Sequence, residues 1–142
     1  MKQIIHTWKP HEDLTNFISL DEFKQIPYRL ELKFTLLDEN GVNSVGRQVT
    51  FIFEYPFGVR YSEEADRVDI IKAELIDEQS VVESGVWPYF KVENSSFIKW
   101  QRDLEAIVDE DEKKLMCFGF SEERYLFEVL SYSEPKVEIK KM

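Results

Sequence analysis

Two stretches of the chain alternate apolar and polar residues with a period of two. Tyr28, Leu30, Leu32, Phe34 and Leu36 point one way while Arg29, Glu31, Lys33 and Thr35 point the other. This predicts a strand with one face on a core and one in water. Val49, Phe51, Phe53, Tyr55 and Phe57, set against Thr50, Ile52 and Glu54, predict a second strand. Asn40-Gly41 between them tolerates positive φ and marks a tight turn, so the two runs are expected to pair antiparallel. Pro56 cannot donate a ladder hydrogen bond, which puts the second strand at an edge or breaks it there.

The period changes after Tyr89. Tyr89, Phe90 and Val92 form a short apolar run, and Asn94 and Ser95 can then accept hydrogen bonds from the first turn of a helix. Phe97, Trp100, Leu104 and Ile107 recur at helical spacing. The expectation is a strand leading into a helix from about Ser95 to Ile107 that packs Phe97, Trp100 and Leu104 on a sheet.

Residues 63–78 carry a weaker pattern. Ala65, Val68, Ile71 and Leu75 fit a helix, while Val68, Ile70 and Lys72 fit a strand. Length and composition favour the helix. Ser19-Leu20-Asp21-Glu22 has the spacing of a capping box, and the short helix it predicts ends at Pro27. Residues 1–18, with a Lys9-Pro10 step, are read as an edge strand or a docked arm. Ser84-Gly85 reads as a loop. Leu115–Phe120 and Arg124–Ser131 read as a hairpin, and Val137 and Ile139 as a last short strand. The fold expected is one α+β domain over 1–142: a mainly antiparallel sheet of about five to seven strands with two or three helices on one face.

Charge narrows the partners. The 142 residues carry a formal net charge of −10, a field that repels phosphate backbones and argues against nucleic-acid binding. Hydrophobic residues make up 43% of the chain and aromatics 14%, enough for a sizeable core and against disorder. No apolar run approaches the roughly 20 residues needed to span a bilayer, and the start lacks the apolar core of a signal peptide. Cys117 is the single cysteine, which fits a reducing compartment and a buried, inert thiol. Together these predict a cytoplasmic protein.

Catalytic and metal-binding patterns are not found. His6 and His11, near Glu12 and Asp13, do not sit on a scaffold that would make ligands converge. Asp109, Asp111 and Lys113 begin a calcium-loop spacing, but Lys113 replaces an oxygen ligand and Lys114 stands where the turn needs glycine. There is no Gly-rich phosphate loop, nucleophile elbow or zinc-protease helix motif. Glu54, on a mostly apolar strand, is the acid to inspect for a raised pKa, with a place on the solvent face as the favoured explanation. No cofactor is expected.

Trp8-Lys9-Pro10-His11, the stretch from Phe90 to Trp100 (FKVENSSFIKW), and the stretch from Glu128 to Val137 (EVLSYSEPKV) resemble one group of small, acidic bacterial cytosolic proteins. The resemblance covers the C-terminal half and the start, not 38–88. It implies a bacterial source and no catalytic residue. In size, acidity and style the group is similar to immunity proteins that neutralise toxins.

The function expected is therefore non-enzymatic: an acidic module that binds a basic protein partner, an inhibitor of a basic toxin being one form of it. The acids gather in two segments, and Glu64, Asp66, Asp69, Asp103, Glu105, Asp109, Glu110 and Asp111 are the candidate contact residues. Three alternatives stand beside it. One is a small-ligand binder or hydrolase using an acid pair in a cleft beside Glu54. Another is acidity that only maintains solubility. The third, compatible with either, is a homodimer formed through an edge strand such as Val49–Tyr55.

Overall fold

The computed structural model describes residues 2–82, 87–104, 107 and 109–142, with only the backbone of Asp109 and Glu110. Glu105 and the Ser84-Gly85 loop lie outside the described residues.

Ten strands among the described residues form two sheets. The larger contains, in spatial order, β5 (Gly58–Glu63), β9 (Tyr125–Ser131), β8 (Met116–Glu122), β7 (Tyr89–Glu93), β1 (Ile4–Thr7) and β6 (Glu74–Ile76). The smaller contains β10 (Lys136–Lys141), β4 (Ser44–Glu54), β3 (Arg29–Leu37) and β2 (Phe17–Ile26). All paired neighbours are antiparallel except β1 and β6.

The alternation of β3 and β4 builds the main core. Leu30, Leu32, Phe34, Leu36, Val49, Phe51 and Phe53 leave the smaller sheet on one side and meet Tyr89, Phe118, Phe120, Phe127 and Val129 of the larger sheet. Phe51 packs edge-on against Phe120 with ring centroids 4.8 Å apart, and Trp8 joins Phe51 and Phe118. The larger sheet also covers its other face, where Ile5, Phe90, Val92, Cys117, Leu126 and Leu130 meet Phe97 of α2 (Ser96–Asp103). A sheet buried on both faces needs apolar side chains at successive positions. That is why β8 and β9 read as near-continuous apolar runs.

The α+β expectation with helices packed on one face is overturned: this is a sheet-rich protein in which two sheets face each other. The β3–β4 hairpin is antiparallel as expected, with Gly41 at φ 70° in its turn. However, β4 stops at Glu54, before Pro56, and Tyr28 and Tyr55 are exposed rather than on the core face. The Asp38 carboxylate accepts backbone N–H bonds from Asn40, Val42 and Asn43, which fixes that turn. The β8–β9 hairpin and the last strand also form as expected.

Three elements differ. The Ser19–Glu22 segment is strand, not helix. Asp21 forms the irregularity in β2, and its carboxylate accepts bonds at 2.6 Å from Thr35 and Gln48 across the smaller sheet rather than capping a helix. Residues 63–78 are not one helix. They run from the end of β5 through a 3-10 turn (Glu64–Asp66) and the single turn α1 (Val68–Ile71) into β6. Arg67 breaks the run with φ −102° and ψ 64° while its side chain reaches into the sheet.

The helix after Tyr89 starts where expected, with Ser95 Oγ accepting from the N–H groups of Phe97 and Ile98. It ends at Asp103, and Trp100 is 49% exposed. The covered side runs through Phe97 and Ile98, not through Phe97, Trp100 and Leu104. Gln3 Oε1 accepts the Ser96 N–H at 2.8 Å and holds the first turn in that rotation. Trp100 stacks on the Phe97 ring instead of on the sheet. Two strand assignments change as well. β1 lies inside the larger sheet between β7 and β6. β4 lies between β10 and β3, so the edge-strand dimer through Val49–Tyr55 is not available.

Candidate functional site

On the outer face of the larger sheet, one row crosses four strands: Phe90 on β7, Gly119 on β8, Glu128 on β9 and Arg60 on β5. Glu128 has 0% exposure. A carboxylate taken wholly out of water needs cations and hydrogen bonds to offset its lost hydration, and two guanidinium groups supply them. Arg60 Nε lies 2.9 Å from Glu128 Oε1, and Arg67 Nη1 donates to the same oxygen. Arg60 also rests 4.7 Å from the Phe97 ring centroid, a cation–π contact.

Arg67 continues outward to Asp69 through two bonds of 3.0 Å, and Asp69 also accepts from Gln3 Nε2 at 2.6 Å. Burial alone would lower the Arg67 pKa, but the bonds to Asp69 and Glu128 outweigh it and hold the pKa above its ordinary value. Hydrogen bonding to Arg67 holds the Asp69 carboxyl well below the usual carboxylate range, with burial opposing and Gln3 assisting. Burial and the Glu128 charge push the Cys117 thiol up, consistent with the inert thiol expected.

The Asp69 pKa has a consequence for stability. Its folded value is lower than its unfolded value, so the stabilisation is complete above the unfolded range of about 4 and fades as the pH falls below it. The thermal midpoint of the wild-type protein should therefore exceed that of Asp69→Asn at pH 7, and the gap should narrow steadily in acid. A gap independent of pH would contradict the pairing.

Beside this network, where the larger sheet meets α1, lies a groove of about 490 Å³. Most of its lining is apolar, including Ile5, Phe90, Leu126, Ile71, Leu75 and Trp87, with Thr7, Asn16 and Ser121 among the polar members. Among the described residues, the acids lining it are Glu64 and Glu123. Glu64 is held by Ser121 Oγ, which donates to its carboxylate at 2.5 Å. A groove of this kind can take apolar side chains while placing negative charge beside them.

The predicted acids separate under this geometry. Glu64 lines the groove and Asp66 is exposed close by in the 3-10 turn. Asp69 is neutralised by Arg67 and accepts from Ser96 at the start of α2. Asp103 sits at the other end of that helix, about 11 Å away by helical rise. Asp111 is exposed in α3 (Asp109–Glu112), where Glu112 pairs with Arg102 at 3.2 Å. The backbones of Asp109 and Glu110 belong to α3, and Glu105 is outside the described residues. The two acidic segments thus flank α2 rather than merge. Glu54 is exposed, 3.7 Å from Arg29, and does not line the groove. His6 lies between Glu78, at 3.2 Å, and Glu93, at 2.9 Å.

Sequence reading missed Glu128, Arg60 and Arg67. The signal was present: an acid on a strand with apolar residues on both faces must be paired, and the criterion applied to Glu54 fits Glu128 better. No protein-family model, curated protein or solved structure matches the chain.

Proposed function

We propose that the protein is a non-enzymatic binding module for a basic protein partner, acting in the bacterial cytoplasm. The observation that carries this reading is the apolar groove lined on its acidic side by Glu64 and Glu123, in a chain of net charge −10. Such a groove suits a partner segment that combines apolar and cationic side chains, because opposite fields speed encounter while the apolar contacts slow release. Asp66, Asp103 and Asp111 extend the negative field, whereas Asp69 is occupied internally. The resemblance to small, acidic bacterial proteins supports the setting. No helix among the described residues is long and apolar enough to cross a membrane.

The test is to isolate the partner from the source organism and measure its affinity, once purified, across salt concentrations. The expected partner is basic, and its affinity falls as salt rises. Glu64→Gln combined with Asp66→Asn lowers the association rate several-fold and flattens the salt dependence. A partner that is acidic, or whose affinity ignores both salt and those substitutions, would overturn the reading.

A further inference from the structure

The larger sheet is not covered across its whole inner face. The smaller sheet ends at β2, and beyond it Tyr61 and Glu63 of β5 are exposed while Val59 and Tyr125 pack at the rim of the core. At that rim the exposed Tyr61 ring stacks at 5.3 Å and 26° on Tyr125, which packs against the core, and lies 5.1 Å from Phe127. Phe23 of β2 stacks on Phe127 at 6.3 Å. Tyr61 is 55% exposed. Strand register places Glu63 of β5 and Glu122 of β8 opposite Tyr125, one on each neighbouring strand.

Glu122 sets this shelf apart from an ordinary aromatic surface. It is 7% exposed, so it is an interior acid like Glu128. Glu128 has two guanidinium partners. Glu122 accepts the Leu20 N–H at 3.3 Å and forms no ion pair among the described residues. Burial holds its carboxyl above the ordinary value, the Leu20 bond opposes this, and Glu123 adds to it. A desolvated carboxylate without a cation is costly, and a cation arriving from outside relieves that cost. The charged groups around the shelf are Glu63, Glu122, Glu123 and Arg124, the last lying 5.6 Å from the Tyr125 ring centroid. Glu63 and Glu122 therefore share the shelf with one guanidinium, while Glu123 lines the groove. β5 is also an edge strand, paired with β9 alone.

We propose that this tyrosine shelf receives an arginine or lysine side chain from an extended basic segment of the partner, the cation lying over Tyr61 with Glu63 and Glu122 beside it. The inference rests on the basic-partner reading and adds to it a contact at the shelf, apart from the groove. Cation–π attraction and a charge-assisted hydrogen bond act together there, and the free edge of β5 can pair with the segment's backbone. Arg124 occupies the neighbouring ring as a resident cation that the incoming one must tolerate.

The probe is a synthetic peptide of alternating arginine and valine, titrated into the full chain and followed by NMR, with a citrulline-for-arginine peptide as control. Shifts are expected at the amides of 58–63 and at the Tyr61 and Tyr125 ring signals, with none from the control. Tyr61→Ala and Glu122→Gln should each weaken binding about tenfold. Arg124→Ala should strengthen it, while Lys140→Ala, on an edge strand of the smaller sheet, should leave it nearly unchanged. If Glu122→Gln loses spectral dispersion, the exposed changes Tyr61→Ala and Glu63→Gln carry the test. Shifts at Ile71 and Leu75 with unmoved tyrosines would overturn the shelf and keep the basic-partner reading. No shifts anywhere at millimolar peptide would overturn both.

Discussion

Replacing Glu128 by alanine is expected to destabilise the fold by about 3–5 kcal/mol, measured by urea unfolding at neutral pH. The size follows from what the change leaves behind rather than from what the ion pair is worth. Arg67 and Arg60 are 11% and 24% exposed at their side chains. Without the carboxylate, two guanidinium charges stand close together under α2, and only Arg67 keeps an acid, Asp69. Glu128→Gln should be milder at first sight, because the amide oxygen can still accept one bond. It nevertheless sets an uncharged group and its N–H donors against two cations, so its cost should stay above that of an exposed substitution. A triple change, with Glu128, Arg60 and Arg67 all made apolar, should recover much of the loss, because a buried ion cluster exchanged for packed hydrocarbon is often neutral. Equal losses for Glu128→Ala and the triple change would show that the charges are not coupled.

That network shows where sequence reading stops. The β3–β4 pair was legible because one face is wet, so alternation maps directly onto inside and outside. β8 and β9 were legible as a hairpin, but their continuous apolar character also meant that the second face was buried, and from that a three-layer region follows. The acid-rich 63–78 segment was misread for a tertiary reason. Arg67 leaves the helical path to reach Glu128, sixty-one positions away, and no local spacing encodes such a partner. Trp100 was misplaced for a similar reason. Helical periodicity groups Phe97, Trp100 and Leu104, but the bond between Gln3 and Ser96 sets the helix rotation, and Gln3 lies in a different part of the chain. The acidic candidates were legible as charge and not as a site. Asp69 and Asp103 differ in role because Arg67 donates two bonds of 3.0 Å to the first, whereas Arg102 stands 3.8 Å from the second.

Gly119→Ala is expected to cost about 3 kcal/mol, the upper part of the range for overfilling a packed interior. Gly119 is opposite Phe90 on β7 and opposite Glu128 on β9. The Phe90 ring lies across the space a side chain would occupy: a Cβ built there would be 2.0 Å from Cε2 and 2.4 Å from Cζ of that ring. Flexible surface groups could step aside freely, but this ring is 6% exposed, belongs to the cluster of Ile5, Val92, Phe97 and Leu126, and has open space only on its groove side. Moving it one way opens the apolar cluster beneath α2, and moving it the other drives it towards Glu128 and its arginines. The glycine thus separates the oily part of the outer layer from its charged part, and an aromatic ring laid over a strand glycine fills the gap. The steric origin gives a coupling test. If Phe90 is first shortened to alanine, at its own cost in lost burial, the added methyl at 119 enters open space. The double change should then be less damaging than the sum of the two singles by about 1–2 kcal/mol. Strict additivity in urea unfolding would mean that the ring and the glycine do not meet, and the row from Phe90 to Arg60 would have to be redrawn.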